Sequence, residues 1–380
     1  MGLTSKIFFI ALAVIATAMI AGTLWLWPRA AGQGPAAWLG RLGMLAATQV
    51  SIMALLLVAA NDTYGFYSSW NDLLGQAEGK QTLDEPGAPA GRPAALTVTG
   101  TFRDARLKGG RERAGLVEAV TFHGAASGLT TDGYVYLPPQ YFQKGHEYDH
   151  FPVVVALTGY PGVAKNLITE LDIPRTVSDD IRTKKIQPVI YVLARPAVVP
   201  GRDTNCTDIP GGSQALTFFN QDLPMAVAGH YRTTGAPGTW GAVGDSTGGY
   251  CALKFAMTNP VRYGAAAGLS ADYFARRDGQ TGDLYGGNAQ VRRENDLTWR
   301  LEHMPPPPVS LLVSSSRKGE ENYGPTLTFA AKARPPTRVT TLIRDEGGHN
   351  FQTWLSEYPE VVLWMDRQLT LAVHDRSQTG

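Results

Sequence analysis

The chain has 380 residues, 18% of them charged and 44% hydrophobic, with 42 Gly, 25 Pro, two Cys and a formal net charge of +1. Gly and Pro fall below the fraction that marks disorder or collagen, and the near-zero charge excludes a protein that holds polyanions by a basic stripe. Two cysteines exclude a disulfide scaffold and a cysteine-rich zinc site.

The uncharged run 7–27 is long enough to cross about 30 Å of hydrocarbon as a helix. It closes on Trp25 and Trp27, at the depth indoles prefer, before Pro28-Arg29. A second uncharged stretch, 42–60, is weakened by Thr48, Gln49 and Ser51. Together they predict a membrane anchor over 1–62, a two-span helical hairpin. The alternatives are a cleaved signal peptide for the first run, whose apolar core exceeds the usual length, and a buried amphipathic helix for the second. Arg29 and Arg41 in the connection keep it in the cytoplasm by the positive-inside rule and place the remainder on the extracytoplasmic side, with Lys6 pulling the other way. Tyr64, Phe66, Tyr67 and Trp70 suit an interface, and 76–95 reads as a linker, so 63–95 is a juxtamembrane segment and linker.

From 96 to 374 the pattern is that of one catalytic-sized domain, followed by a tail at 375–380. Short, mostly apolar runs at 135–137, 153–157, 189–193, 240–243, 265–269, 309–313 and 339–343 predict strands. Helical patterns lie between several of them, at 221–230, 251–258 and 325–333. The alternation predicts an α/β fold with a doubly wound, mostly parallel sheet.

The run 240–243 leads into Gly244-Asp245-Ser246-Thr247-Gly248-Gly249 and then a helical pattern. This is G-x-S-x-G in the strand–turn–helix setting that gives the motif meaning; the alternative is a tight structural turn. A serine at its ordinary pKa needs a base, and the base needs an orienting group. Of seven histidines, His349 lies directly after the last strand run, behind Gly347-Gly348, in the chain order that suits Ser246, an acid and a histidine, while His374 lies near the tail. The acid is expected after the strand at 309–313, in the loop 314–323, where Glu320 and Glu321 are the carboxylates. Glu320 is favoured because flexible Gly319 precedes it, with Glu321 and Asp272 as alternatives. Backbone N–H groups of Thr247 and Tyr160 are the candidate oxyanion donors, the latter in the turn Thr158–Gly162.

Cys206 and Cys251 are expected near one edge of the sheet, where an oxidising compartment would let them form a disulfide; the alternative is two buried thiols. The polar excursion 275–303 is a candidate flap or an ordinary surface loop. No phosphate loop, dinucleotide fingerprint or metal-ligand spacing is present in the sequence, so no cofactor, metal or nucleic acid is expected.

The segments 244–249, 347–354 (Gly-Gly-His-Asn-Phe-Gln-Thr-Trp) and 157–162, with the lead-in 127–141, resemble the esterase D branch of the α/β-hydrolases, which includes the antigen 85 mycolyltransferases and enterochelin esterases. The resemblance covers 96–371 and not the hairpin. It implies a catalytic set of Ser246, Glu320 and His349, an acyl-enzyme, and a small-molecule or lipid ester substrate whose acyl group passes to water or, as in the transferases, to an alcohol or sugar. A hydrolase fold used only as a binding module is the remaining alternative.

Overall fold

The computed structural model describes residues 5–30, 32, 34–64, 70, 94–199, 201–275 and 279–377. The chain divides into two compact units, Met1–Lys80 and Gln81–Gly380. The expected linker 76–95 lies outside the described residues except for 94 and 95, as do Phe66 and Tyr67.

In the first unit, α1 (Lys6–Leu26) starts where the Ser5 hydroxyl accepts the Phe8 N–H at 3.1 Å. A 3₁₀ turn at Trp27–Ala30 leads toward α2 (Pro35–Tyr64). The second helix begins before the predicted 42 because Ala36, Ala37, Trp38 and Leu39 are compatible with helix, and Arg41 closes the turn by donating from Nε to the Ala30 carbonyl at 2.7 Å. The Thr23 and Thr48 hydroxyls meet at 2.8 Å between the helices, the kind of polar contact that ties apolar helices together. Outward-facing Leu24, Val50 and Leu57 are all more than 60% exposed. Both helices are long and apolar enough to cross a membrane, which fits a hairpin or, for the first, a signal sequence.

The second unit is built on a nine-stranded sheet in the order β1-β2-β3-β5-β4-β6-β7-β8-β9. β1 (Leu96–Phe102), β2 (Leu116–His123) and β3 (Thr130–Leu137) form an antiparallel meander, and β3 runs antiparallel to β5 (Ile190–Ala194). From β5 across β4 (Val153–Leu157), β6 (Trp240–Asp245), β7 (Tyr263–Leu269), β8 (Ser310–Lys318) and β9 (Arg338–Glu346) every pairing is parallel. The predicted fold is therefore present, with two strands that the sequence reading omitted. In β1 only Leu96 is buried and the pairing shifts between Val98 and Gly100, so it carries no core pattern. In β2 the buried residues Val117, Val120 and Phe122 are interleaved with polar ones.

The apolar runs read as central strands because both faces are covered. On one face Trp240, Phe218, Phe219 and Phe255 pack with α4 (Leu223–His230) and α5 (Thr247–Thr258). On the other, α3 (Ile173–Arg182) and α9 (Phe351–Ser377) contribute Ile173, Val177, Ile181, Tyr358, Val361 and Met365. Neighbours along β6 point to opposite faces, Ala242 to the first and Val243 to the second. The excursion after β7 holds α6 (Ala289–Glu294) and α7 (Leu297–His303), and α8 (Tyr323–Lys332) links β8 to β9.

Because β4, β6, β7, β8 and β9 are parallel, the loops that follow them emerge at one edge of the sheet, where α/β proteins carry their sites. The segment 314–318, expected as loop, is the end of β8, so the loop proper is 319–322.

Cys206 and Cys251 form a disulfide with a Cα separation of 5.7 Å. It joins the loop after β5 to α5 across 45 positions of sequence. One turn farther along α5, Lys254 is buried and donates to the Thr207 hydroxyl at 2.9 Å and the Asn205 carbonyl at 3.3 Å. Burial pushes its pKa down to about 7. Loop-closure entropy gives the disulfide about 4 kcal/mol. The paired Cys206→Ala, Cys251→Ala substitution is therefore expected to lower Tm by roughly 10 °C in thermal unfolding; an unchanged Tm would mean that the unfolded chain is not constrained by the bond.

Candidate active site

Ser246 stands between β6 and α5 with φ 52° and ψ −122°, a conformation that an L-residue holds only when its surroundings impose it. Its N–H donates to the Leu269 carbonyl at 2.9 Å and its carbonyl accepts the Tyr250 N–H at 3.0 Å, which fixes the turn from both sides. The glycines of the motif are required by close approach. A Cβ on Gly248 would run into the Leu157 and Thr158 carbonyls, and one on Gly244 into the backbone of Gly248. Thr247 opens α5, so its N–H lies in the first turn, where no intrahelical carbonyl is available.

The His349 Nε2 is 2.8 Å from the Ser246 Oγ. Its Nδ1 is 3.3 Å from Oε2 of Glu320. With a carboxylate at Nδ1, the neutral ring carries its proton there and leaves Nε2 to accept the serine hydroxyl proton. The Glu320 side chain is 2% exposed, whereas His349 is about half exposed. Partial burial works against the imidazolium, but the Glu320 hydrogen bond and charge, with the charges of Asp245 and Asp272, outweigh it and raise the His349 pKa above its ordinary value.

The loops that deliver these groups are locked backbone to backbone. Gly319 has φ 90°, and a Cβ there would strike the Gly347 carbonyl, while the Gly347 N–H donates to the Lys318 carbonyl at 3.1 Å. The ends of β8 and β9 thus bring Glu320 beside His349. Asn350 then caps α9 by accepting the Thr353 N–H at 3.1 Å.

Of the alternatives for the acid, Glu321 faces solvent, and Asp272 acts on His349 only through its charge. His146 pairs with Asp149, and His303 stacks on Trp299. Gly159 lies against the elbow: its N–H donates to Asp245 Oδ2 at 2.8 Å, and a Cβ on it would sit 3.0 Å from that of Ser246. The half-buried Tyr160 follows directly. Asp245 is fully buried; desolvation pushes its pKa up to about 7 against the opposing Gly159 hydrogen bond and His349 charge.

The excursion after β7 is fastened to the disulfide loop. Arg202 donates to the Thr281 and Asp283 carbonyls at 3.0 and 2.8 Å, and the Thr207 hydroxyl donates to Asn295 at 3.3 Å. Residues 276–278 of the expected flap lie outside the described residues. Among the described residues no group of three or more His, Cys, Asp or Glu side chains is arranged to hold a metal ion.

The sequence reading assigned no role to Ser270 and Trp354. Ser270 follows β7 and donates to Glu320 Oε1 at 2.6 Å, and the Trp354 Nε1–H donates to the Ser270 hydroxyl at 2.9 Å. Trp354 was visible only as part of the resemblance over 347–354, and nothing local marks Ser270.

A family model described as "Putative esterase" matches residues 125–358. The chain belongs to this esterase family. Carboxylic ester hydrolysis is the activity class that the family carries, which sets aside a fold used only for binding. A ferulic acid esterase is similar in structure with a TM-score of 0.58 at 17% identity, covering 66% of this chain and 98% of that one. An S-formylglutathione hydrolase from Agrobacterium tumefaciens gives 0.57 at 15% identity over 72% and 99%. FphF, a fluorophosphonate-binding serine hydrolase of Staphylococcus aureus, gives 0.54 at 16% identity over 66% and 98%. At these identities the likeness is one of fold. A search of the curated proteins finds no match to this esterase.

Proposed function

We propose that this chain is a membrane-anchored serine esterase that works through an acyl-enzyme on Ser246. His349 takes the hydroxyl proton as Ser246 attacks the ester carbonyl, and Glu320 holds the imidazole in its reactive tautomer and stabilises the imidazolium. The N–H groups of Tyr160 and Thr247 receive the oxyanion. The proton on His349 passes to the leaving alcohol. Water, deprotonated by the same imidazole, then releases the acid and restores Ser246. The observation that carries this reading is the 2.8 Å approach of Ser246 Oγ to His349 Nε2, with Glu320 at the opposite ring nitrogen.

The anchor is α1 and α2, with Arg29 in the turn between them and Arg41 in the first turns of α2, a placement that by the positive-inside rule puts the hydrolase unit on the extracytoplasmic side. The disulfide supports that side, since such bonds persist in oxidising compartments. Protease added to intact cells should then cleave the hydrolase unit; full protection would reverse the orientation.

The reaction is tested on the full-length protein in detergent with p-nitrophenyl esters of increasing acyl length, with and without trehalose as acceptor. Free acid as the product in both conditions supports a hydrolase. Acylated trehalose in preference to acid would make the protein a transferase with the same catalytic groups. No turnover above buffer by the folded protein would contradict both.

A further inference from the structure

We infer that Ser270 is a positioning residue for the reaction, holding Glu320 in the orientation that His349 requires; the inference rests on the reading of Ser246, His349 and Glu320 given above.

The hydrogen-bond directions follow from chemistry. The indole of Trp354 can only donate, so at 2.9 Å the Ser270 hydroxyl accepts from it. The carboxylate of Glu320 can only accept, so the single hydroxyl proton of Ser270 goes to Oε1 at 2.6 Å. That leaves Oε2 for His349 Nδ1. One hydroxyl therefore divides the two oxygens of the acid between itself and the base. The bond is charge-assisted and sheltered, Ser270 being 2% exposed and the Glu320 side chain equally so.

The backbone at this position argues for the side chain. Ser270 has φ 46°, the left-handed region where glycine would sit without strain. A side chain is retained there, and the only polar atom it adds is the hydroxyl that meets Glu320 and Trp354. Its own N–H is held by the Ser314 hydroxyl at 3.3 Å, which in turn donates to buried Glu357 at 2.7 Å. Trp354 completes the brace from the other side, its ring edge-on to the His349 ring at 5.2 Å and 85°. Acid and base are thus set by a pair of residues from the ends of β7 and the start of α9.

Three variants separate positioning from packing. Ser270→Ala and Ser270→Gly both remove the donor to Glu320, and the glycine form also relieves the left-handed backbone, so one remains informative if the other folds poorly. Trp354→Phe leaves the Ser270 hydroxyl and an aromatic ring beside His349 but removes more buried volume. Loss of a hydrogen bond to a charged group predicts that kcat of the Ser270 variants on p-nitrophenyl acetate falls about 10- to 100-fold with KM within about twofold. Trp354→Phe should show the larger drop in Tm and the smaller drop in kcat. The inference is overturned if kcat losses follow Tm losses across the three, or if both Ser270 variants stay within about threefold of the parent kcat. If Ser246→Ala retains turnover in the same assay, the underlying assignment of the nucleophile fails instead.

Discussion

Ser246→Ala and His349→Ala should each lower kcat for p-nitrophenyl acetate by about a million-fold, and the double substitution should cost scarcely more. The near-equality follows from the geometry. In the proposed mechanism the hydroxyl owes its reactivity to the imidazole nitrogen 2.8 Å away, so removing either partner removes the same alkoxide. A residual rate of about 10³-fold over water should survive, because the proposed oxyanion donors, the N–H groups of Thr247 and Tyr160, are left in place. Neither side chain is part of the core clusters, so Tm should change little. Additive losses in the double variant would mean that the two residues act in separate steps.

The second large effect is at the acid. Glu320→Gln is expected to reduce kcat by roughly 10³- to 10⁴-fold, because an amide in that place no longer enforces the tautomer and no longer neutralises the imidazolium. Glu321→Gln, on an exposed side chain, should stay within about twofold. The pH profile supplies a second test. The base acts when neutral, so kcat/KM is lost as pH falls through the His349 pKa. Glu320 raises that pKa by hydrogen bond and charge, so the acid limb of the parent should lie above the ordinary imidazole value of about 6.5. In Glu320→Gln that hydrogen bond and charge are gone, burial is opposed only by the charges of Asp245 and Asp272, and the limb should move to lower pH. A limb that stays in place would remove Glu320 from the partnership with His349.

These contrasts also show what the sequence could and could not disclose. The elbow at Ser246 was legible because it writes itself into the chain: an apolar strand, glycines where Gly248 meets the Leu157 and Thr158 carbonyls, then helix. The placement of His349 at that elbow was legible from its position just after the last strand. The choice between Glu320 and Glu321 was not, since adjacent carboxylates in one loop carry the same local signal. What separates them is tertiary: the Gly319–Gly347 backbone contact and the Ser270 hydroxyl, contributed by β9 and β7. The central strands announced themselves by being buried on both faces, whereas β1 exposes nearly all its side chains and β2 alternates polar with apolar residues. The disulfide was anticipated from the placement of Cys206 and Cys251 at one sheet edge, but Lys254, which fastens the same loop one turn away, has no sequence signature distinguishing it from a surface lysine.

The most direct test of the account is to treat the folded, full-length protein with an alkyl fluorophosphonate and locate the adduct by intact-mass and peptide mass spectrometry. One equivalent on the peptide containing Ser246, formed at a rate that falls with the acid limb of His349 and is absent from Ser246→Ala, is the predicted result. An adduct on another residue, or none on protein that remains folded and hydrolyses esters, would contradict it.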